Sequence, residues 1–178
     1  MLELQAGRPQ NTDGRQDREI RSYDFLDRIG VNYERIDHAP ADSMEVCAEI
    51  DKSLNAVTCK NLFLCNRQKT NFYLLLIPGF KKFLTKDISK QINSARLSFA
   101  GEEELLNMMD LLPGSITILG LMNDPDQHIR LLIDEEVLKC DHIGFHPCAN
   151  TTTLRVAVAD LMDKIIPALQ HEPTIVSL

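Results

Sequence analysis

Lys60 and Asn61 interrupt an apolar run, Val57 to Cys65, that otherwise reads as a buried strand. A charge on such a strand is costly without a partner, so Lys60 should face an anion, either a carboxylate or a ligand phosphate. Much later in the chain, Gly144-Phe145-His146-Pro147 forms a turn leading into Asn150-Thr151 and a β-branched segment. Taken together, the two blocks point to a site for a small anion or the end of a nucleotide. Each residue alone also has a plainer reading. Lys60 can be a surface lysine on an edge strand or the partner of a core carboxylate such as Asp134, and His146 can be a hydrogen-bonded turn histidine.

Other chemistries find less support. His142 and His146 have helical i,i+4 spacing, but Gly144 between them and Pro147 after them argue against a helical metal pair. His38 and His128 stand alone in sequence, so no metal site is expected. Cys148 lies two residues from His146, an arrangement that seldom aligns a thiol with an imidazole in a turn; a bystander thiol is expected. Gly-x-Ser-x-Gly, phosphate-loop and dinucleotide fingerprints are missing, and no cofactor is expected.

The 178 residues suffice for one domain with a single sizeable core, and 44% apolar with 25% charged residues is ordinary globular composition. No apolar run is long enough to cross a membrane, and residues 5 to 19 lack a signal-peptide pattern, so a cytoplasmic location is expected. The five cysteines form no Cys-x-x-Cys pair and read as reduced thiols. A net charge of −7 argues against an extended grip on a nucleic-acid backbone, though not against contact with a short end. Lys81, Lys82, Lys86, Lys90 and Arg96, opposed only by Asp87, make one local basic stretch, whose bland reading is a solvated helix face.

These residues must be positioned by elements that the pattern suggests. Residues 1–18 read as a flexible extension, 19–172 as a single domain and 173–178 as a tail. Ile20, Tyr23, Phe25, Leu26 and Ile29 predict a helix stopped at Gly30, followed by a strand at 31–36. Ser43 suits an N-cap for a helix carrying Met44, Val46, Cys47 and Ile50. Segments 57–65 and 71–77 predict a hairpin. A helix at 87–92, a strand at 96–99 and a helix opened by Gly101-Glu102-Glu103-Glu104 follow. Pro113-Gly114 marks a turn into Ser115–Leu121; 129–133 and 152–158 read as strands, and Asp160 as the cap of a last helix that Pro167 kinks or shortens. Short strands irregularly interleaved with helices predict an α+β class: a mixed, largely antiparallel sheet or partly closed barrel surrounded by helices.

The ordered blocks CKNLFL (59–64), FYLLL (72–76), RLSFAGEEEL (96–105), LPGSITILGLMND (112–124), LLIDEE (131–136) and GFHPCANTTTLRV (144–156) resemble the YbaK/ProX family of aminoacyl-tRNA deacylases, freestanding relatives of the editing domain of prolyl-tRNA synthetases. The likeness runs from about Tyr23 to Ile166 and is nearest the branch that clears alanine from tRNA(Pro). It implies hydrolysis of a mischarged aminoacyl ester in a pocket that admits alanine and excludes proline, because missing methylenes alone give the synthetase only about 1–3 kcal/mol of discrimination. It further implies that Lys60 holds the phosphate of the terminal adenosine and that Asn61 orients the adenosine or the backbone. Gly144, Phe145, His146 and Pro147 would wall the aminoacyl pocket, with His146 setting its size and Asn150 and Thr151 beside it. The Gly114–Gly120 loop, including Ser115, would offer backbone amides to the scissile carbonyl. No general base is identified, and the family's substrate-assisted model assigns water activation to the ribose 2′-hydroxyl. Many relatives carry Gly-x-x-x-Pro in this loop where this chain has Ile118, so Ile118 is expected to reshape the pocket.

The implied partners are the acceptor end of mischarged tRNA(Pro) and prolyl-tRNA synthetase; oligomeric state is not legible. Three alternatives stay open: a deacylase for a cysteinyl or seryl group, a non-catalytic module binding a tRNA end or synthetase, and a domain binding a free nucleotide or amino acid.

Overall fold

The computed structural model describes residues 2–41 and 44–178. Ser43 therefore lies outside the described residues. The nine strands are β1 (Gln5–Ala6), β2 (Tyr33–Asp37), β3 (Val57–Asn66), β4 (Phe72–Pro78), β5 (Leu97–Phe99), β6 (Ile129–Asp134), β7 (His142–Phe145), β8 (Thr152–Ala157) and β9 (Thr174–Val176). The helices are α1 (Asp17–Arg28), α2 (Met44–Leu54), α3 (Thr85–Gln91), α4 (Glu102–Met109), α5 (Val158–Asp160) and α6 (Ile166–Leu169), with short 3-10 segments at Ile118–Asn123 and Val137–Lys139. The strands form one open mixed sheet in the order β1-β2-β8-β7-β3-β4-β6-β9, with β5 also on β3. Five pairings are antiparallel and three are parallel, so the α+β expectation holds.

The centre of the sheet is β3, whose two ends serve different neighbours. Val57 and Thr58 pair in parallel with Ile143 and Gly144 of β7, whereas Cys59 to Cys65 pair antiparallel with β4. The β4 run is apolar throughout because both of its faces are covered. Leu74 and Leu76 enter the larger core cluster with Tyr23, Leu26, Leu154 and Leu161. Tyr73, Leu75 and Ile77 point the other way and pack with Ile88, Ile92 and Leu132.

Several elements differ from the sequence reading. The segment read as a flexible extension includes β1, which pairs with β2, and the Gly7 N–H donates to the Tyr33 carbonyl at 2.8 Å. Its polar residues find partners: Arg8 bonds Asp24 and Asp27, and Arg15 bonds Glu19 and Asp37. At the other terminus, the segment read as a tail contains β9, in parallel register with β6. Ile118–Asn123 winds as a 3-10 helix, with the Thr117 hydroxyl accepting from Leu119 N–H. His142–Phe145 forms the short strand β7, where the sequence pattern shows only the approach to a turn. Asp160 lies inside its helix instead of capping it, and a π turn, Leu161–Ile165, precedes Pro167. Widened helical bonding just ahead of a proline relieves the clash of its ring with the preceding turn.

Candidate functional site

A cavity of about 710 Å³ opens where α2, the first half of β3, the turn after β4 and the loops at 114–116 and 146 meet. Lys60, Asn61, Gly114 and His146 all line it, together with an apolar wall that includes Ala41, Ala48, Ile50, Val57 and Ile116. The two sequence blocks thus converge because β3 pairs with β7, which places the Gly144–His146 segment beside Thr58.

Lys60 is half-buried and makes no ion pair among the described residues. Its ammonium donates to two backbone carbonyls, Gly79 at 3.3 Å and Lys81 at 2.5 Å. Those bonds orient the head group but leave its formal charge uncompensated, and a third N–H remains. Asp134 is not its partner: that buried carboxylate accepts from Lys81, with both oxygens at 2.9 Å. Next to Lys60, the Oδ1 of buried Asn61 has no hydrogen-bond partner among the described residues, and neither has the Oγ1 of Thr58. Both residues line the cavity. A buried polar atom left unpaired costs about 1–3 kcal/mol, and both oxygens lie beneath the cavity surface, so a small shift of β3 is what would bring either to a donor.

The Nδ1–H of His146 donates to the Thr152 carbonyl at 2.8 Å, which fixes the tautomer and leaves Nε2 as an acceptor. Burial holds its pKa below the usual histidine value, partly offset by that bond. The ring of His38, 6.1 Å away, is arranged in the same sense. Its Nδ1–H donates to the Ala39 carbonyl at 2.7 Å, while its Nε2 accepts from the Thr153 hydroxyl at 2.9 Å. Burial likewise lowers its pKa. Both imidazoles are therefore neutral at pH 7.

Thr152 is itself held from below. Its hydroxyl lies 2.9 Å from Asp37 Oδ1 and 3.2 Å from Glu19 Oε1, and Arg15 bonds both carboxylates. Glu19 is 2% exposed and also accepts from the Tyr23 hydroxyl at 2.7 Å. Sequence reasoning missed this support because Arg15 sits in a segment whose composition suggested disorder.

The remaining expected residues fall into two groups. Gly114 has φ +84° at the third position of a Pro113-Gly114 turn closed by Ser115 N–H to the Leu112 carbonyl at 3.1 Å, a conformation that favours glycine. Asn150 adjoins it: a Cβ on Gly114 would lie 3.6 Å from Asn150 Nδ2. The rest stand behind the wall. Gly144 lets β7 approach α2 and β3; a Cβ there would come within 2.3 Å of Leu54 Cδ2 and 3.2 Å of Thr58 Oγ1. Phe145 and Pro147 are buried, with Phe145 in the larger core cluster. The Thr151 carbonyl accepts from His38 N–H at 2.9 Å. The Ser115 hydroxyl donates to the Leu112 carbonyl at 2.7 Å. Ile118 is fully buried in the core and does not line the cavity; Ile116, two residues earlier, does.

The buried thiols offer no nucleophile. Burial pushes the Cys59 thiol up to about 12 and the Cys148 thiol up to about 11, so neither forms a thiolate near neutrality. Among the described residues no group of three or more His, Cys, Asp or Glu is disposed to hold a metal ion. Nor is any helix among them long and apolar enough to cross a membrane. A second cavity of about 450 Å³, between α1 and the C-terminal helix, contains none of the expected residues.

Residues 38–164 match the model of the aminoacyl-tRNA editing domain. The chain belongs to the aminoacyl-tRNA editing domain family. It is 29% identical over 143 residues to the prolyl-tRNA editing protein ProX of Acetoanaerobium sticklandii, covering 80% of this chain and 87% of that one. It is 27% identical over 156 residues to prolyl-tRNA synthetase associated domain-containing protein 1 of Danio rerio, covering 86% and 84% respectively. A solved structure described as a candidate trans-editing enzyme for prolyl-tRNA synthetase superposes with a TM-score of 0.66 at 13% identity, over 92% of this chain and 98% of that one. That likeness shows the shared editing-domain fold. The matched stretch contains Lys60, Asn61, Gly114 and His146, so the whole cavity lies within the family's domain.

Proposed function

We propose that this chain is a trans-editing hydrolase that cleaves the aminoacyl ester of mischarged tRNA(Pro), with Ala-tRNA(Pro) as its substrate. The observation that carries the reading is the convergence, in a family of aminoacyl-tRNA editing domains, of an unneutralised Lys60 with unpaired Asn61 and Thr58 oxygens and a neutral His146 around one cavity. In this reading Lys60 attracts the phosphate of the terminal nucleotide as a point cation on a rigid strand. The unpaired Asn61 and Thr58 oxygens, brought to the surface by a small shift of β3, accept from donors on the ester end. The apolar wall formed by Ala41, Ala48, Ile50 and Ile116 limits the aminoacyl side chain to a small group.

The reaction needs a water oxygen to add to the ester carbonyl, and the bond from that carbon to the ribose oxygen then breaks. One proton of the water goes to the leaving ribose oxygen, the other is lost to solvent, and alanine leaves as its carboxylate. His146 Nε2 accepts a hydrogen bond from the attacking water or the neighbouring ribose hydroxyl, while the Thr152 bond keeps the ring in that tautomer. The N–H groups of Gly114 and Ile116 make no backbone hydrogen bond among the described residues and are the donors available to the developing oxyanion. Ser115 and Gly120 are not, since their N–H groups donate to Leu112 and Thr117. Catalysis on this account rests on positioning and electrostatics.

A panel of Ala-, Cys-, Ser- and Pro-tRNA(Pro) tests the assignment. Preferential release of alanine supports it, and preferential release of cysteine or serine transfers the same chemistry to another small group. Absence of hydrolysis by a folded protein that binds tRNA would replace it with a non-catalytic tRNA-end module.

A further inference from the structure

The turn after β4 presents a side chain that ester hydrolysis leaves unused. Phe80 lines the cavity mouth and is 74% exposed. Its mount is rigid. The carbonyls on either side of it, those of Gly79 and Lys81, are both held by the Lys60 ammonium. The Gly79 N–H donates to the Thr58 carbonyl at 2.8 Å, and a Cβ at position 79 would lie only 2.7 Å from that oxygen. The cation at the cavity thus also fixes the loop that displays the ring.

The chain beyond Phe80 is cationic. Lys82, Lys86, Lys90 and Arg96 are exposed and make no ion pair among the described residues. Lys81 alone of this stretch is neutralised, by Asp134 and Glu136. In a protein of net charge −7, an unneutralised Lys82 two residues from an exposed ring at a cavity mouth, with Lys86 and Lys90 on the helix that follows, matches single-stranded nucleic acid, whose bases stack on aromatics while its phosphates meet cations.

We propose that Phe80 stacks a base of the single-stranded 3′ end whose terminal ester enters the cavity, with Lys82 and Lys86 meeting the phosphates beyond it. The proposal rests on the tRNA-editing reading and adds a nucleobase contact to it.

The test uses the full chain and a short RNA ending in CCA, with 2-aminopurine as the terminal base. Stacking on Phe80 should quench its fluorescence. Phe80→Ala should bind about tenfold more weakly and lose the quench, whereas Phe80→Trp should keep both. Lys82→Glu with Lys86→Glu should weaken binding and flatten its salt dependence without removing the quench at saturation. Equal binding and quench in Phe80→Ala and wild type, at equal melting temperature, would overturn the proposal, as would binding of apolar peptides in preference to RNA. Hydrolysis of Ala-tRNA(Pro) is scored separately. Quench without hydrolysis removes the enzyme reading and keeps the stacking contact. Hydrolysis with unchanged KM in Phe80→Ala does the reverse.

Discussion

His146 donates its Nδ1–H to the carbonyl of Thr152, and the hydroxyl of the same threonine is held by Glu19 and Asp37. The imidazole at the cavity is thereby tied to a buried charge network that ends at Arg15, near the N-terminus. Thr152→Val keeps the carbonyl and removes the hydroxyl, so it should cost about 1–3 kcal/mol in stability. Among folded molecules it should lower kcat several-fold with little change in KM, because the carbonyl that orients the ring is kept while the network that steadies that carbonyl is lost. Thermal unfolding paired with steady-state deacylation reads both effects. An unchanged kcat would show that the network serves only the fold.

Arg15 extends the same argument to the N-terminal segment. Its removal leaves Glu19, with a side chain 3% exposed, as a buried carboxylate without its cation. Arg15→Met should therefore destabilise the protein by about 3–5 kcal/mol. Deleting residues up to Arg15 should do the same, as measured by denaturant unfolding. A neutral result would show that the segment is dispensable to the fold.

The pH dependence follows from the two buried imidazoles. Burial lowers the His146 and His38 pKa values below 6.5, so the unfolded chain binds protons that the folded one does not. Their contribution to stability is complete above about pH 6.5 and is lost as pH falls through the folded values. Stability should drop as pH falls below about 6.5, and less steeply in a His38→Gln, His146→Gln double variant. Deacylation should fall over the same acid limb, since a protonated Nε2 cannot accept. A rate that rises toward acid would contradict this role of His146.

Pocket size should respond to Ile116 and not to Ile118. Ile116→Ala enlarges the lined wall and should let Pro-tRNA(Pro) be hydrolysed, whereas Ile118→Val should cost about 1 kcal/mol of core packing and leave selectivity alone. Measuring the alanine-to-proline ratio of deacylation rates in both variants decides the point.

Cys47 offers a chemical probe of the mouth, being exposed and part of the cavity lining. A bulky maleimide should block tRNA-end binding in the wild type and spare Cys47→Ser. Cys59 and Cys148 should not react in the folded state, because they are buried with thiols pushed far above neutrality.

The parts of this account that were legible in the sequence share a physical cause. The β3–β4 hairpin announced itself through an apolar run covered on both faces, and Lys60-Asn61 stood out against that background. The Pro113-Gly114 turn was readable because its chemistry is local. What stayed hidden depended on pairing between distant segments. Strand β7 is four residues long and takes its identity from β3 and β8. Strands β1 and β9 are short, polar-flanked pieces that add to edges already formed. The exchange of Ile118 for Ile116 at the pocket turns on a 3-10 helix whose winding no local periodicity announced. The same holds for Lys60, whose partners are carbonyls of a turn about twenty residues away and carry no side-chain signature.

The most direct test compares release of alanine from Ala-tRNA(Pro) by the wild type and by Lys60→Ala, with Pro-tRNA(Pro) as the excluded substrate. Rapid, alanine-selective hydrolysis that falls at least about a hundredfold in the folded variant is the predicted result, since the phosphate anchor and the mount of Phe80 are lost together. Equal hydrolysis by both proteins, or release of proline as readily as alanine, would contradict the account.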